Sequence, residues 1–184
     1  MRSEKEKMLA GELYDPLDQQ LVDDRLKARL LIAELNNTRE DETDERARVL
    51  AALMPHAGPG LWLQPPFYCD YGSNIRTGEK VFFNFNCVVL DVTTVTIGSR
   101  TMFGPNVQLY TATHPVHHEE RASGLEYAKP IIIGDDVWVG GSAIVCPGVT
   151  IGGRSVIGAG SVVTKDIPSD VFAAGNPCKV IRSL

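Results

Sequence analysis

Residues 133–163 read IGDDVWVGGSAIVCPGVTIGGRSVIGAGSVV. An aliphatic residue returns at every sixth position: Ile133, Val139, Val145, Ile151, Ile157 and Val163. The residue after each is Gly134, Gly140, Cys146, Gly152, Gly158 or Thr164, nearly always small. Four positions after each aliphatic stand Val137, Ala143, Val149, Ser155, Ser161 and Ile167, again small or aliphatic. Six is a multiple of the strand period of two and not of the helical period of 3.6. Short strands joined by tight turns satisfy it, with the aliphatic pointing inward and the next residue turning the chain. Three hexads close one triangular coil, and coils stack into a solenoid.

The pattern continues upstream through Ile97, Phe103 and Leu109, with Gly98 and Gly104 in the small position. Ile75, Val81 and Cys87 extend it, with a register slip in the ten-residue step from Cys87 to Ile97. From Leu109 to Ile133 the hexad vanishes. This excursion, about 110–130, holds His114-Pro115-Val116-His117-His118-Glu119-Glu120. A non-repeating loop that leaves a rigid scaffold is where function concentrates.

Residues 1–56 follow a different regime, with a single glycine, 13 acidic and 9 basic residues. Ser3 and Glu6 form a capping box ahead of Met8-Leu9, and Gly11 stops that helix. Asp15 before Pro16 predicts the start of a second helix, whose stripe is Leu21, Val22, Leu26, Leu30 and Ala33, ending near Asn36-Asn37. A third opens at Asp41–Asp44, carries Val49, Leu50 and Leu53, and stops at Pro55. These helices are too small to fold alone, so 1–56 reads as a cap on the solenoid of 57–184.

The whole chain of 184 residues carries a formal net charge of −5. That opposes binding to nucleic acid or to an anionic membrane, both of which call for a basic face. The N-terminal stretch has no apolar core of signal-peptide type, and Cys69, Cys87, Cys146 and Cys178 form no Cys-x-x-Cys pair. Both features point to a cytoplasmic protein with reduced cysteines. A zinc hydratase on such a solenoid needs separated histidine ligands, whereas three of the four histidines crowd into 114–118.

Taken together, the hexads, the His114 loop, Tyr71-Gly72-Ser73-Asn74-Ile75, the front Met8-Leu9-Ala10-Gly11-Glu12-Leu13-Tyr14 and the tail from Ala174 to Arg182 resemble the hexapeptide-repeat sugar O-acetyltransferases. Maltose and galactoside O-acetyltransferases belong to that group. The resemblance covers essentially the whole chain. It implies a left-handed parallel β-helix, a homotrimer with active sites between subunits, and transfer of an acetyl group from acetyl-CoA to a sugar hydroxyl, often the 6-hydroxyl, without a metal. Acceptors such as an antibiotic or another amine are the alternative on the same scaffold.

Acetyl transfer to an alcohol needs a base for the hydroxyl proton and a donor for the tetrahedral oxyanion. An imidazole suits the first role near neutral pH, and His114 matches the family's catalytic histidine. The resemblance places Asn84, Asp70, Asp15, Asp91 and Glu126 at or beside acceptor-contacting positions; amides and carboxylates both bind sugar hydroxyls. It places Gly141, Ser142 and Ala159 along the pantetheine arm of the coenzyme and Trp138 near the cofactor; we take the Gly141 N–H as the oxyanion donor. Thr164, Lys165, Lys179 and Arg182 match nucleotide contacts, where cationic charge suits phosphates.

Overall fold

The computed structural model describes residues 2–184. The chain winds as a left-handed parallel β-helix whose coils each contribute a short strand to three sheets. The first sheet stacks Trp62–Leu63, Phe82–Phe83, Met102–Phe103, Trp138–Val139 and Val156–Ile157, then Val171–Ala174 and the antiparallel closing strand Lys179–Ser183. The second stacks Phe67–Cys69, Cys87–Leu90, Gln108–Tyr110, Ile144–Val145 and Val162–Val163. The third stacks Ile75–Thr77, Val95–Ile97, Ile131–Ile133 and Thr150–Ile151.

The inward aliphatics of the hexad are fully buried, as the six-residue period requires. The register of the early coils differs from the sequence expectation. Phe83, Phe103 and Val139 pair in one column, as do Thr77, Ile97 and Ile133. Ile75, Val81 and Cys87 therefore lie two residues ahead of the main hexad column. They are also buried, because side chains two apart on a strand share a face. The slip falls in the eight-residue step from Val89 to Ile97. Phe83 stacks on Phe103 with ring centroids 4.5 Å apart, and Phe67 meets Phe83 edge-on at 5.6 Å.

The three corners of the coil differ. Between the third and first sheets the chain turns through a left-handed residue, including Lys80, Arg100, Asp136, Arg154 and Asp170. Between the first and second sheets it does so through Asn86, Asn106, Ser142 and Gly160. Both corners are tight. A Cβ on Gly98 would stand 2.4 Å from the Asp135 nitrogen of the next coil, so only glycine allows that contact. Exposed ion pairs line the outside of the first of these corners, Arg100–Asp136 and Arg154–Asp170, both at 2.6 Å. Exposed pairs like these contribute little to stability.

The third corner, between the second and third sheets, is open and variable in length. In the coil from Cys87 it is widened around Asp91, which is fully buried. One Asp91 carboxylate oxygen accepts the N–H groups of Asp70 (3.0 Å) and Tyr71 (2.9 Å), and the other accepts that of Asn74 (3.2 Å). Burial pushes its carboxyl up to about 7, while the N–H donors of Tyr71 and Asn74 pull the other way. In the next coil the same corner opens into the excursion, which carries the short helix α4 (His118–Arg121) absent from the sequence expectation.

The front forms three helices. In α1 (Glu4–Ala10) the Ser3–Glu6 capping box and the left-handed Gly11 are both present. In α2 (Gln19–Asn36) the N-cap is Asp18, and Asp15 lies in the turn before it. The buried side of α2 is Leu21, Ala28, Ile32 and Leu35, whereas Leu26 and Leu30 face outward. The expected start and stripe are thus corrected: an N-cap carboxylate three residues later begins the helix, and contact with the solenoid selects its face. Helix α3 (Thr43–Leu53) ends before Pro55. Ile32, Leu35, Val49 and Leu53 join Phe67 and Ile75 in one core.

Asp91→Ala leaves three backbone donors unmatched, each at a cost of about 1–3 kcal/mol when buried. Its urea midpoint should fall well below that of the wild type, with Asp91→Asn in between. Equal midpoints for all three proteins would refute the corner's dependence on this carboxylate.

Candidate active site

A groove of about 380 Å³ lies where the cap meets the open corner. Its polar lining is Tyr14, Arg25, Arg29, Asp70, Tyr71, His114 and Glu126. Pro16, Leu17, Leu90, Val92 and Ala112 supply an apolar wall. His114 enters from the start of the excursion and is 53% exposed. Glu126 enters from its far end, where its backbone pairs with that of Tyr14 in an antiparallel bridge. The Tyr14 hydroxyl donates to Glu126 Oε2 at 2.7 Å, and Glu126 Oε1 lies 4.0 Å from His114 Nε2. Burial, then the Glu126 carboxylate, pushes the Tyr14 phenol far up, so it remains a donor.

Arg25 holds the opposite side, donating to the Tyr71 hydroxyl (2.9 Å) and to the Pro16 carbonyl (2.5 Å). Burial raises the Asp70 carboxyl, and the nearby Arg25 and Arg29 pull it back. The groove therefore mixes fixed donors, fixed acceptors and one imidazole, an inventory suited to hydroxyl groups.

Of the residues anticipated from sequence, His114, Asp70 and Glu126 meet in this groove. Asp91 does not line it. Its carboxylate is spent on the backbone beneath Asp70 and Tyr71, and the neighbouring Val92 faces the groove instead. Asp15 is exposed and accepts the Leu17 N–H at 2.8 Å, so it shapes the rim and does not line the groove. His117 and His118 stack on each other away from the groove, with centroids 5.0 Å apart.

Asn84, Gly141, Ser142 and Ala159 lie on a different edge, the tight corner between the first and second sheets. About five residues of strand at 3.3 Å each separate the two edges, roughly 15–20 Å. Asn84 Oδ1 accepts the N–H of Phe85 at 2.8 Å. Among the described residues, the Gly141 and Ala159 N–H groups donate to no backbone acceptor. Trp138 projects outward from the first sheet, half exposed, level with Met102 and Val156. Lys179 and Arg182 lie exposed on the closing strand of that sheet, and Thr164 and Lys165 lie exposed on the open corner, two coils past the His114 level.

Tyr14, Arg25, Arg29 and Tyr71 were not anticipated as groove residues. One sequence signal bears on the open corner. The residues after the inward aliphatics there are Asp70, Leu90, Tyr110, Cys146 and Thr164, a column without glycine, whereas the tight corners carry Gly104, Gly140 and Gly158 or Gly98, Gly134 and Gly152. Among the described residues, no cluster of three or more His, Cys, Asp or Glu side chains is placed to hold a metal, and no helix is long and apolar enough to cross a membrane.

Comparison with known proteins agrees with this architecture. Residues 7–58 match the maltose acetyltransferase hexapeptide capping motif, and residues 130–165 match the hexapeptide repeat of succinyl-transferase. The galactoside O-acetyltransferase of Escherichia coli K12 is 45% identical over 97% of this chain and 88% of its own length. The crystal structure of a maltose O-acetyltransferase from Clostridium difficile 630 superposes with a TM-score of 0.98 at 48% identity, covering 100% of this chain and 98% of that one. A galactoside acetyltransferase in complex with coenzyme A superposes with a TM-score of 0.96 at 44% identity, covering 100% and 92%. With near-complete coverage, these identities and the shared cap and solenoid mean that the chain belongs to the hexapeptide-repeat acetyltransferase family of the galactoside and maltose O-acetyltransferases.

Proposed function

We propose that the protein transfers an acetyl group from acetyl-CoA to a hydroxyl of a small sugar such as maltose, glucose or a galactoside, the 6-hydroxyl in particular. The observation that carries this reading is His114 at the mouth of a groove whose other polar groups are matched to hydroxyls. The coenzyme of the solved relative is the natural donor to set beside it.

In this mechanism the acceptor hydroxyl donates to His114, and its oxygen attacks the thioester carbonyl as the imidazole takes the proton. The carbonyl electrons move onto oxygen, where the unpartnered Gly141 N–H receives them; one such donor is worth about 10²–10³ in rate. Collapse breaks the C–S bond, and the imidazolium returns its proton to the departing thiolate. Asp70 and Glu126 hold other acceptor hydroxyls. The Ala159 N–H, Ser142 and Trp138 accompany the pantetheine arm. Thr164, Lys165, Lys179 and Arg182 meet the nucleotide phosphates.

One chain holds the two halves of this site on separate edges. The acceptor half lies on the open corner, and Asn84 with Gly141 lies on the tight one. A second copy that sets its tight corner against this chain's open corner unites them, and three copies around an axis complete three sites. The homotrimer is thus part of the proposal. Four unpaired cysteines fit a reducing cytoplasm.

His114→Ala should lower turnover by about 10²–10⁴, with coenzyme affinity within threefold of the wild type by calorimetry. Turnover like the wild type would sink the base assignment, and an amine acceptor that outruns every sugar tested would replace the acceptor class. Light scattering should give three subunits. A stable monomer with full activity would exclude the shared site.

A further inference from the structure

The His114 imidazole is not held by its own ring atoms. Among the described residues no group hydrogen-bonds it, and Glu126 Oε1 at 4.0 Å is too far to do so. Its placement rests on the backbone to either side. On the N-terminal side, Ala112 and Thr113 pair with Ala128 and Tyr127 across the root of the excursion. On the C-terminal side, Pro115 fixes its own φ and biases His114 toward an extended backbone. Beyond Pro115, packing offers little. Val116 is 90% exposed, and α4 has no buried residue. The strut there is polar. Arg121 closes α4, and its Nη1 donates to the Val116 carbonyl at 2.8 Å and to the Pro115 carbonyl at 3.2 Å. The Arg121 backbone N–H donates to the His117 carbonyl at 2.9 Å. Residues 115–121 therefore close into a ring directly behind the histidine, with a charged donor across it.

We infer that Arg121 positions His114 for proton transfer: by pinning the two carbonyls that follow the histidine, it sets how the imidazole enters the groove. Arg121 does not line the groove, so it is a positioning residue that acts through the backbone of Pro115 and Val116. The inference rests on the reading of His114 as the base. A guanidinium suits the task because a single nitrogen carries two N–H groups, one for each carbonyl, and stays charged at every working pH. Without it, two adjacent carbonyls turn to water, and the segment after His114 keeps only the short α4 turn to order it.

The test measures thiol release from acetyl-CoA by the full-length protein, with the best acceptor among glucose, maltose and a galactoside. Arg121→Ala should lower kcat by about 10–10²-fold, the scale of a catalytic group displaced by about 1 Å. Coenzyme affinity by calorimetry and the thermal unfolding midpoint should stay at the wild-type values, since the side chain is exposed and remote from the core. Guanidinium ion, added well below denaturing concentrations, should restore part of the lost kcat in Arg121→Ala and raise nothing in the wild type. In a His114→Ala background, Arg121→Ala should cost little more, and guanidinium should restore nothing. Wild-type kcat in Arg121→Ala overturns the inference. So does a loss of the same size in both backgrounds without rescue, or a fall in coenzyme affinity or unfolding midpoint that matches the fall in turnover. If His114→Ala alone turns over like the wild type, the base reading fails first and the inference with it.

Discussion

Stacking of coils at strand spacing is the constraint on which everything else depends. Adjacent strands lie about 4.8 Å apart, so at a tight corner one coil's turn sits directly on the backbone of the next. The Gly98 position shows how little room is left, since a Cβ there would lie 2.4 Å from the Asp135 nitrogen. Two corners obey this rule and repeat almost without variation. The inward aliphatics then fill the prism, and the phenylalanine stack of Phe67, Phe83 and Phe103 occupies its wider coils.

The third corner escapes the rule, and the chemistry collects there. Its widening leaves backbone N–H groups that no neighbouring strand receives. Asp91 takes three of them, which fixes the backbone of Asp70 and Tyr71 at the groove floor. One coil later the same corner releases the excursion that brings His114 and Glu126 to the groove. The cap closes the other side through Tyr14, Arg25 and Leu17, and shares the solenoid's core through α2 and α3. The acceptor groove is thus a junction of cap and solenoid, which neither part makes alone.

The fold was legible because its signal is periodic and local: each hexad repeats the same requirement, so six consecutive matches reinforce one another. The capping box at Ser3 and the Gly11 stop were legible for a similar reason, being short-range hydrogen-bond geometry. Legibility fell where a choice lay between local alternatives. Asp15 and Asp18 are both good caps, and Leu26 and Leu30 suit an apolar stripe as well as Ala28 and Ile32 do. Contact with the solenoid decided between them. Asp91 and Val92 present the same problem at the site, because one residue of register exchanges a buried carboxylate for a groove wall.

The sequence by itself determined the six-residue coil and the position of the excursion, since these follow from spacing along the chain, and its resemblance to the sugar O-acetyltransferases singled out His114. Only the tertiary structure decided which groups face His114. Tyr14 and Glu126 stand 112 residues apart, and Arg25 and Tyr71 stand 46 apart. No periodicity links such pairs. They meet because packing the cap onto the open corner buries apolar surface, and that packing carries their polar groups into one groove.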